Sequence, residues 1–349
     1  MDTKLLKVDN SVDKLVGHPH ILQVAKLLRE NEAVAFPTET VYGLGANAKS
    51  DEAVKKIFEA KGRPSDNPLI IHVSNREQVK EFVDHIPKHA EKLMEKFWPG
   101  PLTIIFQLKE GTLSKLATAQ LSTVAIRMPS HPIARAIIEA AQLPIAAPSA
   151  NRSGKPSPTN AEHVYDDLQG RVAAIVDGGE TGVGVESTVL DCTVDIPMIL
   201  RPGGITKEQM EEMIGEVHVD PALQLENEKP KSPGMKYKHY APNAPLTILD
   251  GSYSWIQQKI NESRAKGLKV GLLTTEENEK KWEADVVLAC GRKQDLSTVA
   301  SKLYHSLRTF NDYDVDIIYS EVFPNEGIGE AIMNRLMKAA GHKLEKEER

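Results

Sequence analysis

The chain has 349 residues, of which 40% are hydrophobic and 26% charged, with a formal net charge of -6. That length exceeds one ordinary hydrophobic core and predicts two domains, while no apolar run approaches the roughly 18 to 20 residues that span a bilayer. A net negative chain has no global attraction for nucleic acid, so any anionic ligand must be met by individual Lys and Arg residues.

The N-terminal segment MDTKLLKVDNSVDK mixes acids and bases and lacks the apolar stretch of a secretory signal. A cytoplasmic location is expected. Cys192 and Cys290 stand far apart, with no CxxC and no His partner, which argues against a disulfide framework or a zinc site and for two buried thiols. Residues 21–30 place Ile21, Val24, Leu27 and Leu28 on one helical face, and residues 33–36 (AVAF) follow as a buried strand. PTETVYGLGAN at 37–47 then reads as a polar loop in which Gly43 and Gly45 let the backbone turn or approach a ligand. A helix over 51–61 ends at Gly62 and Pro64.

Further strands are predicted at 69–73, 102–108, 123–127, 144–148, 173–177, 187–191 and 198–202, with a helix over 131–142. Some connections are too short for a crossover helix, so the expected sheet is open, strongly twisted and mixed. From about 214 to 245 the apolar periodicity fades into ENEKPKSPGMKYKHYAPNAP, a linker by composition. Beyond it LTILD, KVGLLTT, ADVVLAC and VDIIYSEVF alternate with helical stretches, as in a small doubly wound parallel domain. The expected boundaries are 1–215, a linker or lid at 216–244, and 245–349.

Three polar segments follow strands, where open α/β sheets bind ligands. PTETVYGLGAN is the first. In KGRPSDNPLIIH (61–72), Lys61 and Arg63 form a pair suited to a polyphosphate, with Asn67 in the following turn and His72 inside an apolar strand. The plainer readings are a helix cap for Lys61 and a satisfied core residue for His72. APSANRSGKPSPTN (147–160) is rigid and donor-rich, offering Ser149, Asn151 and Ser157, or is simply an exposed connector. Arg127 and Arg201 end buried strands and each needs an anionic partner, either a structural carboxylate or a bound carboxylate or phosphate. There is no P-loop, no complete GxGxxG and no HExxH, so bound ATP would be held by side chains and loop amides, and Mg²⁺ would be carried by the phosphates.

PTETVYGLGAN, KGRPSDNPL, the Lys61/Arg63 and Ser149/Asn151 pairs, and SPGMKYKHYAP together resemble the threonylcarbamoyl-AMP synthases of the YrdC-like family, in their longer two-domain form. The resemblance covers both halves of the chain. It implies a YrdC-like catalytic domain, a Rossmann-like C-terminal domain, and synthesis of threonylcarbamoyl-AMP from L-threonine, bicarbonate and ATP with release of pyrophosphate. The product would pass to separate transfer proteins for modification of adenosine 37 in tRNAs, without stable nucleic-acid binding by this chain.

Carried over by motif, Lys61 and Arg63 are the catalytic cations, and Thr40, His72, Arg127 and the backbone around Ala147 hold threonine. Arg63, Asn67, Thr123, Ser149, Asn151, Ser157, Arg201 and Tyr237 hold ATP, with Tyr240 a weaker contact. No metal is held directly by the protein. Residues 229–238 are the expected lid, which protects a labile carbamate from water. Two readings compete with this one. A carbamoyl-transfer enzyme of the same fold would carry zinc-finger or acylphosphatase segments, which are absent here. An RNA-binding module is disfavoured by the charge and the few aromatic residues.

Overall fold

The computed structural model describes residues 2–9, 14–223 and 240–348, which fall into two compact units. The first runs to Leu223 but leaves Gly154–Ser157 and Val183–Val185 to the second, which otherwise holds the chain from Tyr240 onward. The SPGMKYKHYAP segment up to His239, and Tyr237 within it, lies outside the described residues.

The strands of the first unit are β1 (Lys4–Lys7), β2 (Val34–Phe36), β3 (Gly43–Asn47), β4 (Ile70–His72), β5 (Leu102–Gln107), β6 (Thr123–Arg127), β7 (Ile145–Ala146), β8 (Ala174–Asp177), β9 (Thr188–Asp191), β10 (Met198–Arg201) and β11 (His218–Val219). They form one sheet in the order β1-β8-β2-β3-β7-β4-β6-β5-β9-β10-β11. Pairings such as β4 with β6 are parallel and β5 with β6 antiparallel, so the sheet is mixed as its short connections demand. The helices are α1 (Pro19–Arg29), α2 (Asp51–Lys61), α3 (Lys88–Phe97), α4 (Pro132–Ala141), α5 (Ala161–Leu168) and α6 (Lys207–Ile214).

Side chains alternate across a strand, so the two sheet faces can be followed residue by residue. One face carries Leu44, Ala46, Ile71, Ile104, Ile126 and Leu190 and buries them under α2, α3, α5 and α6. On the other face α1 and α4 cover Leu6, Val34, Phe36, Ile145, Ala174 and Val176. That cover stops at β7. Beyond it Ile70, Ala125, Ile105, Val189 and Leu200 form a small apolar patch to which, among the described residues, no helix contributes.

Two strands before residue 50 differ from the sequence reading, and β11 falls inside the expected 216–244 linker. Lys4–Lys7 pairs in parallel with β8 at the sheet edge, and Gly43–Asn47 is a strand antiparallel to β2 rather than a strand-to-helix loop. Gly45 serves packing: a Cβ there would stand 2.5 Å from Phe36 and 2.7 Å from Ile145. Gly45→Ala is therefore expected to lower stability by about 1–3 kcal/mol, measurable by denaturant unfolding.

The second unit contains β12 (Leu246–Asp250), α7 (Tyr253–Ala265), β13 (Val270–Thr274), β14 (Val286–Ala289), α8 (Leu296–Thr309), β15 (Ile317–Glu321), α9 (Ile328–Ala339) and β16 (Leu344–Lys346). Its sheet, ordered β14-β13-β15-β12-β16, is parallel throughout, as βαβ crossovers require. Both cysteines are buried thiols, and burial raises the pKa of each.

Candidate active site

The uncovered half of the sheet face carries a polar row that its register builds. His72 on β4 lies opposite Arg127 on β6, Arg127 opposite Thr103 on β5, Thr103 opposite Val189 on β9, and Val189 opposite Arg201 on β10. Directly paired residues project from the same face. His72, Arg127, Thr103 and Arg201 therefore stand side by side, all buried. A register irregularity between Ile199 and Arg201 re-aims the last of them. Thr123 opens β6 on the same face, about 13 Å along the strand from Arg127 at ~3.3 Å per residue.

Arg127 has a protein partner that the sequence reading left open. Its Nη2 lies 2.7 Å from Glu39 Oε1, Nη1 donates to Thr40 Oγ1 at 2.9 Å, and Nε donates to Gly100 O at 3.4 Å. Glu39 and Thr40 reach it from the loop between β2 and β3. That loop is fixed by Thr38, whose hydroxyl donates to Val41 O at 2.7 Å and accepts from the Thr40 amide at 3.2 Å. Burial raises the Glu39 pKa, but the Arg127 charge and nearby backbone amides outweigh it and hold the carboxyl below its usual range. Tyr42, in the same motif, is structural: its hydroxyl donates to Gly179 O at 2.7 Å and accepts from the Gly178 amide at 3.2 Å.

His72 Nδ1 lies 3.2 Å from Ile70 O, which assigns the ring proton to that nitrogen. Burial, and then the charge of Arg127, push its pKa down to about 3. The folded state keeps the ring neutral while the unfolded chain takes up a proton below about pH 6.5. Stability from this group is present above ~6.5 and lost as pH falls towards 3. Burial lowers the His131 pKa too, against the opposing charge of Glu39, and the lowered Glu39 pKa adds a loss on the acid side of the carboxylate range. The melting temperature is expected to fall steadily from pH 7 to 4, and His72→Gln should flatten the upper part of that slope. An unchanged slope in the variant would contradict this placement.

At the other end of the row, Arg201 is buried and bound to Ser187: Nε donates to its carbonyl at 3.1 Å and Nη2 to its hydroxyl at 3.2 Å. The Ser187 hydroxyl also meets Thr103 Oγ1 at 2.8 Å. Glu39, Thr103 and Ser187 belong to this network, and the sequence reading assigned none of them a role. The one available signal was Glu39 as the lone acid in PTETVYGLGAN.

Lys61 ends α2, where Gly62 makes the cap with φ +62°, so its side chain is not spent on capping. Its buried ammonium donates to Ser149 O at 2.5 Å and Asn151 O at 2.7 Å, with Asn151 Oδ1 at 3.4 Å. Ser149 Oγ in turn donates to Asn151 Oδ1 at 2.6 Å. The same loop is held by Ala147 N on Ile70 O, Leu44 N on Pro148 O and Ala150 N on Tyr42 O, at 2.8–2.9 Å. It is a fixed wall beside the polar row rather than a loose connector. Arg63 is buried, and so is Asn67, whose Nδ2 meets no protein acceptor among the described residues.

The structure thus gathers Thr40, His72, Arg127 and Arg201 on or beside the row, and Ala147, Ser149 and Asn151 on the adjoining loop that Lys61 anchors. Ser157 is fully buried but belongs to the second unit, where its loop is held by Ala241 N on Gly154 O at 3.1 Å and Arg308 Nη2 on Pro156 O at 2.5 Å. Tyr240 packs in that unit against Tyr304, ring centroids 5.1 Å apart.

Comparison with known proteins adds a second line of observation. Residues 26–203 match the Sua5/YciO/YrdC family model, described as "Telomere recombination", and residues 205–341 match "Threonylcarbamoyl-AMP synthase, C-terminal domain". A threonylcarbamoyl-AMP synthase of Bacillus subtilis is 60% identical over 344 residues, 99% of each chain. One from Pyrococcus abyssi is 47% identical over 325 residues, 92% of this chain and 94% of its own. The crystal structure of P. abyssi Sua5 complexed with L-threonine superposes with a TM-score of 0.92 at 44% identity, covering 99% of this chain and 100% of that one.

Proposed function

Because the chain belongs to the Sua5/YrdC family of threonylcarbamoyl-AMP synthases, in its two-domain form, we propose that it makes threonylcarbamoyl-AMP from L-threonine, bicarbonate and ATP. It is a nucleotidyltransferase serving tRNA modification. The amine of threonine takes up bicarbonate with loss of water, and the resulting carbamate oxygen attacks the α-phosphorus of ATP, expelling pyrophosphate.

The observation that carries this reading is the polar row of the uncovered half-sheet, with an arginine at each end of a short apolar patch. Arg127, with Thr40 and His72 beside it, suits a small amino acid bound through its carboxylate, and the archaeal relative is complexed with L-threonine. Arg201, Arg63 and the loop held by Lys61 suit the phosphates. Charge gathered at the α-phosphate calls for fixed positive groups rather than a protein nucleophile. Among the described residues no group of three or more His, Cys, Asp or Glu stands ready to hold a metal ion. In the proposed reaction Mg²⁺ would arrive on the phosphates and supply further charge neutralisation there.

Ser157 and Tyr237 complete the proposed nucleotide contacts, and residues 216–244 the proposed lid between domains 1–215 and 245–349. Among the described residues no helix is long and apolar enough to cross a membrane. We place the enzyme in the cytoplasm, handing its product to transfer proteins without binding nucleic acid stably. Pyrophosphate release from ATP tests the reading: it should require threonine and bicarbonate together, and equal release without threonine would refute it.

A further inference from the structure

We propose that Glu39 makes the Arg127 pocket selective for amino-acid zwitterions over plain carboxylic acids; the inference rests on the threonine reading above but adds a residue which that reading does not use. Glu39 Oε1 stands 2.7 Å from Arg127 Nη2, with the Glu39 side chain 13% exposed and that of Arg127 4%. The guanidinium also donates from Nη1 to Thr40 and from Nε to Gly100. Nη1 and Nη2 carry two N–H bonds each, so these contacts leave the guanidinium with donors for a carboxylate.

A carboxylate held there shares one cation with Glu39. Two contacts of about 2.8 Å each put the two anions within roughly 5 to 6 Å of each other. Burial leaves little water to screen them. Among the described residues Arg127 is the one charged group that acts on Glu39, and burial keeps both His72 and His131 neutral near pH 7. The pocket is therefore already neutral as a Glu39–Arg127 pair, and an added carboxylate makes it net negative. An α-amino acid brings its own compensation: the ammonium sits one carbon from the carboxylate, so the zwitterion enters a neutral pocket as a neutral guest whose dipole matches the ion pair. A hydroxy acid of the same shape brings only the negative charge. Glu39 acts here as a specificity-determining residue working through Arg127, with no contact to the reacting atoms required.

The test is calorimetric titration of the full chain with L-threonine and with (R)-3-hydroxybutanoate, which lacks only the amino group. The wild type is expected to prefer threonine by at least about tenfold. Glu39→Gln should shrink that preference about tenfold, while Glu39→Asp, which keeps the charge, should restore most of it. Equal weakening of both ligands by Glu39→Gln would reduce Glu39 to a structural support and overturn the proposal. So would a wild type that binds the two acids equally, a result that needs no variant to fold. A wild type that binds 3-hydroxybutanoate but not threonine would remove the threonine reading itself, and this inference with it.

Discussion

Replacing Arg127 by methionine is expected to destabilise the protein by about 3–5 kcal/mol, because it strands the buried Glu39 carboxylate without its cation. The pH dependence should change sign at this site. With Arg127 present the Glu39 pKa is lowered, and its contribution is held above the carboxylate range and lost as pH falls. Without Arg127, burial, the largest influence on this carboxyl, is opposed by two backbone amides and should raise that pKa, so the variant should gain stability as acid protonates Glu39. Glu39→Gln added to Arg127→Met should recover much of the loss, since the remaining side chains carry no unpaired charge. Denaturant melts at two pH values on the four proteins of this cycle measure the coupling. A loss below about 1 kcal/mol in Arg127→Met would mean that the pair is not buried as described.

Lys61→Ala should have the second large effect, and mainly on activity. The ammonium bridges the end of α2 to two carbonyls and a side-chain oxygen of the 147–160 loop. Hydrogen bonds from a charged donor are worth about 1.5–3 kcal/mol each, and the carbonyls left behind, that of Asn151 buried and that of Ser149 half-buried, lie in a wall of the site. Loss of loop geometry and of positive charge together should lower kcat/KM for ATP by about 100-fold or more, equivalent to roughly 3 kcal/mol of barrier. Lys61→Arg should not restore activity, because a planar fork cannot converge on these oxygens as a compact ammonium does. Full pyrophosphate release by Lys61→Ala would show that the loop needs neither its anchor nor its charge.

Much of the fold was legible in the sequence, and the reasons are local. LIIHV, TVAIR and MILRP are short, β-branched and apolar, and each yields a strand. Gly43–Asn47 was not legible as a strand, because two glycines in five residues read as a turn; Gly45 is a glycine because Phe36 and Ile145 occupy the space a Cβ would need. Lys4–Lys7 is an edge strand with a single buried residue, too brief for its alternation to register. Within the site, charge at the end of a buried strand marked Arg127 and Arg201, since such a group must find a partner. The partners themselves lay beyond local pattern. Glu39 meets Arg127 only because β2, β3, β7, β4 and β6 stand in that order across the sheet, and Arg201 and Lys61 rely on the backbone carbonyls of Ser187, Ser149 and Asn151, which no residue type advertises.

The division of the 147–160 loop was equally hidden. Its first part is held by β3, β4 and Lys61, whereas Gly154–Ser157 belongs to the second unit. A composition of Ser, Pro and Gly predicts a connector but not which body each half joins.

The proposed reaction joins threonine, bicarbonate and ATP at one site. Incubating the full chain with all three, using carbon-13-labelled bicarbonate, and analysing the nucleotides by mass spectrometry tests it most directly. The expected product is an AMP adduct carrying threonine and one labelled carbon, absent when any substrate is omitted. An adduct without the label, or AMP formed with no adduct at all, would contradict it.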